Sequence, residues 1–181
     1  MKIPPVLVFS LGLTLFLNNV ATAHAQALQW ALVNWKVRHD FPDVRRIDST
    51  ELAQWLNDPH REKPVLLDVR TKAEYDVSHI DKAQRIEPGS DAKAVAVPRD
   101  KPIVTYCSVG YRSAAFAKKL QEAGFKNVQN MSGSIFEWAN KGYAMERNGQ
   151  PVHKVHPYNE RWGKLLKKEL RADVPPVGND M

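Results

Sequence analysis

The chain has 181 residues and a formal net charge of +6, with 43% hydrophobic residues. This length corresponds to one domain with a sizeable core. The isoelectric point near 9.4 would suit a nucleic-acid partner, but no RNA- or DNA-binding motif is present. The signal-like N-terminus also disfavours a nucleic-acid partner, and a mildly basic surface would instead help to attract small anions.

Residues 1–25 have the pattern of a secretory signal peptide. Lys2 precedes a mostly apolar run from Val6 to Leu17, and small residues around Ala25 offer a cleavage site. We predict an exported, periplasmic protein, cleaved near Ala25. The apolar run is shorter than the roughly 20 residues of a membrane span, yet an uncleaved anchor stays open as the alternative. Because Lys2 is the only Lys, Arg, Asp or Glu in this segment, removing it leaves 156 residues with a net charge of +5.

Residues 26–43 form a predicted N-terminal arm with an apolar stripe, expected to pack on the domain. The domain, residues 44–150, opens with a short strand, and Asp48 and Glu51 then supply a capping box for a helix. Further strands are predicted at 64–70 and 83–86, with a helical turn at 71–76 between them and a weak helix at 91–97.

The central stretch, residues 102–113, contains Cys107. A short β-branched run before Cys107 predicts a buried parallel strand, and residues 114–123 after it predict an amphipathic helix that ends at Gly124. Another strand follows at 126–130, and a helix begins near Ser134 and ends at Gly142. Strands that alternate with helices at this spacing predict an α/β fold with a central parallel sheet of about five strands and helices on both faces.

Cys107 is the single cysteine of the chain. An exported domain with one cysteine cannot form an internal disulfide, so the unpaired thiol requires another explanation. A helix N-terminus and a nearby cation lower the pKa of a thiol, and the thiolate is the nucleophilic form. Gly110 allows backbone N–H groups to turn inward, and Arg112 adds a permanent positive charge. A buried, inert thiol would not require these two residues.

The run Cys107-Ser-Val-Gly-Tyr-Arg-Ser113 resembles the active-site loop of the rhodanese family, sulfurtransferases that carry sulfane sulfur as a cysteine persulfide. The resemblance implies that Cys107 is catalytic and that the loop residues bind the anion: Ser108, Val109, Gly110, Tyr111, Arg112 and Ser113. Four residues separate Cys107 from Arg112, as in sulfurtransferases. Related cysteine phosphatases have five, so the spacing disfavours a phosphatase or arsenate-type enzyme.

Two further stretches resemble rhodanese signatures, in the same order. The first runs from Asp68-Val-Arg70 through Glu74-Tyr75 to Ser78-His-Ile-Asp-Lys-Ala83, where Ser78 and Lys82 replace glycines and Asp81 a proline. The second is Gly133-Ser134 before a helix with Trp138, where Ser134 replaces a glycine. The resemblance implies that Asp68 and Arg70 support the loop and that His79 is structural. The alternative for Asp68 and Arg70 is an ordinary salt bridge at the end of a strand.

Residues 151–181 form a C-terminal extension outside the resemblance. His153 and His156 have no acid or thiol near them in sequence, so no metal site is expected. An amphipathic helix is predicted over 161–171, packed on the domain, and a frayed end from Asp173.

These observations predict a rhodanese-like sulfurtransferase. The Cys107 thiolate would take sulfane sulfur from a donor such as thiosulfate and pass it to cyanide or a thiol, with no cofactor and no metal. The alternative is a non-turnover persulfide carrier or partner-binding module in the periplasm. Its protein partner would dock through the arm or the extension.

Overall fold

The computed structural model describes residues 24–178. The described part begins with a helix, α1, over residues 24–40. Nearly all of the predicted signal peptide therefore lies outside the described residues. Among those described, no helix has the length and apolar character needed to cross a membrane.

Five parallel strands form the main sheet, in the order β1-β5-β4-β2-β3. Their bounds are β1 Arg45–Ile47, β2 Val65–Asp68, β3 Gln84–Arg85, β4 Pro102–Tyr106 and β5 Asn127–Met131. The predicted α/β architecture is confirmed. In the register of β2 and β4, Asp68 lies opposite Tyr106. The carboxyl end of β2 therefore lies beside the residue that precedes Cys107.

Successive side chains of the central strands enter two separate cores, as the two-residue period of a strand requires. Leu66 and Val104 belong to one core, with residues of the helices that begin at Ser49 and Ser134 and of the C-terminal extension. Leu67 and Ile103 belong to the other, with Phe116 and Leu120 of the helix that follows the Cys107 loop. Because both faces are covered, β2 and β4 contain consecutive apolar residues where a half-exposed strand would alternate apolar with polar ones.

The helices of the domain are α2 Ser49–Asn57, α3 Lys72–Val77, α4 Tyr111–Glu122 and α5 Ser134–Asn140. A short 3-10 turn, Ala92–Ala94, stands where a weak helix was predicted. The predicted capping box of α2 is confirmed, since the Asp48 side chain accepts from the backbone N–H of Glu51 while the Glu51 carboxylate accepts from that of Asp48.

The C-terminal region differs from the prediction. An antiparallel hairpin of β6, Met145–Arg147, and β7, Gln150–Val152, leads into it. The predicted helix over 161–171 is wrong: the chain forms a short helix, α6 Glu160–Gly163, and a 3-10 turn, Lys168–Leu170. Lys167 between them has non-helical backbone (ψ 140°), and its N–H donates to Asn140 Oδ1. Tertiary contacts here override local helix propensity.

The end of the extension is also held in place, contrary to the predicted fraying. The N–H of Val177 donates to the Tyr158 carbonyl at 2.9 Å. Leu165 and Leu166 are fully buried in the core shared with α2 and α5. The extension is therefore an integral layer of the domain up to residue 178.

Candidate functional site

Cys107 lies between the end of β4 and the start of α4. Its side chain is 1% exposed. Gly110 is the N-cap of α4, with φ of +107°, a conformation that glycine adopts without a Cβ penalty. The turn thereby points the thiol toward the first turn of α4, whose N–H groups have no intrahelical acceptor. The site forms at the carboxyl edge of the parallel sheet, where α/β proteins place ligands.

The surroundings of the thiol favour its anionic form. The N–H of Gly110 donates to Cys107 Sγ at 3.1 Å. Burial by itself raises the pKa of the Cys107 thiol, but the charge of Arg112 and hydrogen bonding from Ser113 and Gly110 outweigh it, so that the pKa lies below its ordinary value. The thiolate, which is the nucleophilic form, is therefore more populated at Cys107 than in an ordinary cysteine.

Arg112 holds the loop through a buried carboxylate. Its Nη1 and Nη2 donate to the two oxygens of Glu74 at 3.0 and 2.7 Å, and Nη2 also donates to Ser108 Oγ. The Ser108 hydroxyl donates in turn to Glu74 at 2.6 Å. The guanidinium thus acts on the thiol by its charge, while its bidentate bonds secure the shape of the loop.

Glu74 is fully buried, at 0% exposure. It is the third residue of α3, and its carboxylate accepts from the N–H and hydroxyl of the N-cap Thr71. Burial opposes its ionisation, but the hydrogen bonds and charge of Arg112, with the charge of Arg70 and the bond from Ser108, lower its pKa to about 2. A capping box thus positions the carboxylate that anchors the active loop.

The N-terminus of α5 holds the other side of the loop. The N–H groups of Ile135 and Phe136 donate to the carbonyls of Cys107 and Ser108, each at 3.1 Å. Ser134 Oγ accepts the N–H of Cys107 at 3.1 Å. Ser134 has φ of +49°, the left-handed conformation that the glycine of the family signature would favour. The serine keeps this conformation and adds a hydroxyl acceptor for the backbone of the nucleophile.

Asn130, near the end of β5, joins the middle of the loop to its last residue. Its Nδ2 donates to the Gly110 carbonyl at 3.0 Å, and its Oδ1 accepts from the Ser113 hydroxyl at 2.6 Å. The Thr105 hydroxyl donates to the Ser113 carbonyl. Buried side chains from two neighbouring strands therefore hold the backbone on which the thiol is carried.

Asp68 and Arg70 form a fully buried ion pair beside the loop. Arg70 Nη2 donates to Asp68 Oδ2 and to the Ser78 carbonyl, both at 2.6 Å. The guanidinium also lies 5.8 Å from the centre of the Tyr106 ring, adjacent to Cys107 in sequence. The pair therefore lies next to the strand residue that precedes the loop, and its bond to the Ser78 carbonyl stabilises the turn after α3. Among the described residues, neither side chain bonds directly to residues 107–113.

His79 is engaged by protein groups on both ring nitrogens. Nδ1 lies 3.1 Å from the Tyr75 carbonyl, and Nε2 lies 3.2 Å from Glu146 Oε1. The ring stacks on Tyr75 with 3.8 Å between centroids. This histidine joins α3 to the hairpin.

A cleft of about 230 Å³ opens in front of Cys107. The loop provides one side, with Ser108, Val109, Tyr111 and Arg112, and the other walls come from Val33, Lys36, Tyr158, Arg161 and Trp162. The arm and the extension, which were predicted only to pack on the domain or dock a partner, therefore complete the cleft.

Sequence reasoning assigned no site role to Glu74, Asn130, Tyr158 or Trp162. The sequence does indicate a structural role for Glu74, because Thr71 and Glu74 have capping-box spacing and Glu74-Tyr75 matches the first signature. No sequence pattern indicates a site role for Tyr158 or Trp162, because their position near Cys107 depends on how the extension folds back.

The comparisons with known proteins agree with this fold. The chain belongs to the rhodanese-like domain family, whose sequence model matches residues 49–141. It is similar to the "Probable adenylyltransferase/sulfurtransferase MoeZ" of Mycobacterium tuberculosis, with 36% identity over 96 residues, 51% of this chain and 24% of the relative. It is also similar to the "tRNA uridine(34) hydroxylase" of Citrobacter koseri, with 31% identity over 142 residues, 73% of this chain and 39% of the relative. The chain thus spans well under half the length of these relatives.

Solved structures show the same fold. The crystal structure of a rhodanese-like domain protein from Staphylococcus aureus has a TM-score of 0.52 at 22% identity, covering 59% of this chain and 100% of that one. A Bacillus halodurans protein has a TM-score of 0.56 at 23% identity, covering 73% of this chain and 98% of that one.

Proposed function

We propose that this protein is a sulfurtransferase in which Cys107 carries sulfane sulfur as a persulfide. The observation that carries the proposal is the buried thiol at the N-terminus of α4, with the Gly110 N–H 3.1 Å from Sγ and a lowered pKa. Membership in the rhodanese-like family and the sulfurtransferase name of one relative support it.

The reaction has two steps. The Cys107 thiolate attacks the outer sulfur of a donor, the bond between that sulfur and the sulfonyl sulfur breaks, and the leaving group departs with the electron pair, as sulfite when the donor is thiosulfate. The persulfide Cys107–S–S⁻ then rests against the first-turn N–H groups of α4. A thiolate or cyanide attacks the outer sulfur and releases the Cys107 thiolate again. This is ping-pong chemistry with a covalent intermediate.

Intact-mass measurement after incubation with thiosulfate tests the proposal. We expect the protein to gain one sulfur atom, which a thiol reductant removes, and Cys107→Ser to gain none. No adduct on the wild-type protein with any sulfane donor would overturn the persulfide mechanism.

Steady-state turnover separates an enzyme from the alternative carrier. We propose turnover, with thiocyanate produced from thiosulfate and cyanide over many cycles for each protein molecule. A single loaded sulfur that neither cyanide nor small thiols remove would instead identify a carrier that waits for a protein partner.

We also propose that the protein is exported to the periplasm and cleaved near Ala25, from the pattern of residues 1–25. Cell fractionation with mass spectrometry of the purified protein measures this. A mature chain that begins at Gln26 is expected, and a full-length chain in the membrane fraction would favour the uncleaved anchor.

A further inference from the structure

The walls of the cleft that do not belong to the active-site loop are built by parts of the chain outside residues 49–141, the range that the family model matches. Val33 and Lys36 come from α1, and Tyr158, Arg161 and Trp162 come from the extension. The arm and extension also bind each other, because Gln26 Nε2 donates to the carbonyls of Lys164 and Leu165 at 3.1 Å. Substrate selection can therefore differ from that of a bare rhodanese-like domain.

Tyr158 is held over the loop by a strained and well-bonded backbone. It has φ of +65°, a conformation that residues other than glycine rarely adopt. Its N–H donates to Nδ1 of the buried His156 at 2.9 Å, and its carbonyl accepts from Val177. The ring lies 4.8 Å from the Arg112 guanidinium carbon. Strain maintained by surrounding bonds is characteristic of functional positions.

Trp162 is positioned by the cap of α6. Asn159 Oδ1 accepts the N–H of Trp162 at 3.0 Å, and Asn159 is itself buried at 8% exposure. The indole is partly exposed and lines the cleft. Two aromatic rings thus border the opening to the thiol from fixed positions.

The chemistry of this lining combines apolar surface with positive charge. Val33, Val109, Tyr158 and Trp162 offer apolar or aromatic faces, and the charged side chains of the lining, Lys36, Arg112 and Arg161, are all basic. Aromatic rings attract apolar and aromatic bodies, while the cations and the first-turn N–H groups of α4 attract the anionic sulfur group. A small inorganic anion would leave much of the cleft unfilled.

We propose, on the basis of the function proposed above, that the cleft selects organic sulfane donors, in which an aromatic or aliphatic body carries the anionic sulfur group, and that Trp162 and Tyr158 set this preference. With an arenethiosulfonate, the Cys107 thiolate takes the outer sulfur, the bond from that sulfur to the sulfonyl sulfur breaks, and an arenesulfinate leaves with the electron pair. The product on the protein is the same persulfide.

The test compares benzenethiosulfonate with thiosulfate as donors. We expect kcat/KM for benzenethiosulfonate to exceed that for thiosulfate by at least about tenfold, and Trp162→Ala to lower this ratio about tenfold, because one apolar wall is removed. Trp162→Phe should retain most of the preference. Trp35→Ala is the matched control: Trp35 is 58% exposed, lies on α1 outside the cleft lining and should leave the ratio unchanged.

A wild-type preference for thiosulfate, or equal losses for both donors in Trp162→Ala, would overturn the inference. Calorimetric measurement of benzenesulfinate binding to Cys107→Ser tests the cleft preference independently of the proposed function, because binding requires no sulfur transfer. Binding that Trp162→Ala weakens supports the cleft preference even if no persulfide forms. Absence of binding, or binding that this substitution does not change, contradicts it.

Discussion

Glu74 is a single buried residue that anchors the conformation of the active-site loop. Its carboxylate is fully buried and accepts two bonds from Arg112 and one from Ser108. Removing one partner of a buried pair leaves an uncompensated charge, which costs far more than the pair itself contributes. Arg112 is therefore a structural residue as well as an electrostatic one, and loss of activity in an Arg112 variant does not by itself show anion binding.

Arg112→Ala should lower the free energy of unfolding by about 3–5 kcal/mol, since it leaves Glu74 buried without its cation. Urea denaturation measures this. Lys72→Ala is the control, because Lys72 belongs to the same helix as Glu74 and pairs with Asp76 on the surface, at 73% and 49% exposure. Breaking that exposed pair should cost less than about 1 kcal/mol. Equal effects of the two substitutions would contradict the anchoring role of Glu74.

At the scale of elements, two turns have left-handed backbone at positions where the family signatures have glycine and this chain has another residue. Lys82, after α3, has φ of +59°, and Ser134, before α5, has φ of +49°. Ser78 has φ of −170°, extended backbone that any residue adopts. Of these three replacements, therefore, only those at Lys82 and Ser134 place a side chain in strained, left-handed backbone.

Lys82→Gly should raise the free energy of unfolding by about 1 kcal/mol, because glycine adopts the left-handed conformation without a Cβ clash. Lys82 is exposed, so no packing is lost. Thermal or urea unfolding measures the change. Lys93→Gly, in the 3-10 turn, is the matched control and should be neutral or destabilising, since helical backbone disfavours glycine. Destabilisation by Lys82→Gly would show that the lysine side chain contributes more than its strain costs.

At the scale of the whole molecule, the extension is packed against the buried charges of the site. His156 is 2% exposed, and burial lowers its pKa, with the charge of Glu74 opposing this and those of Arg70 and Arg112 reinforcing it. A histidine kept neutral in the folded state favours unfolding once it must be protonated. The stability of the whole domain is thereby linked to pH through a residue of the extension.

Stability should fall in two ranges as the pH is lowered. In the first range, the unfolded chain binds a proton at His156 near pH 6.5 while the folded chain does not. The contribution of His156 to the free energy of unfolding is therefore complete above that pH, and it is lost as the pH falls toward the lowered pKa of His156 in the folded chain. In the second, Glu74 gains its proton in the unfolded chain near pH 4.5 but in the folded chain only near 2, which corresponds to about 3 kcal/mol lost between those values.

Urea unfolding of the wild type and of His156→Gln between pH 7.5 and 5 measures the first range. The variant should show a smaller slope of unfolding free energy against pH, whatever its absolute stability. Identical slopes would assign the pH dependence to groups other than His156.

The sequence by itself determined the features of the fold that are specified by residues close together in the chain. The apolar strand runs, the capping box at Asp48 and the order of strands and helices predicted the sheet and its helices, because period and end signals act within a few residues. The order of Cys107, Gly110 and Arg112 likewise placed a thiol at a helix N-terminus. These features depend on neighbours along the chain.

Only the tertiary structure decided how the site is anchored and enclosed. Glu74 meets Arg112 from 38 positions away, and Tyr158 and Trp162 reach the cleft because Leu165 and Leu166 bury against the domain. The predicted helix at 161–171 failed for the same reason, since burial and the bond to Asn140 outweighed local propensity. Contacts between residues distant in sequence depend on packing free energy, which leaves no periodic signal in the chain.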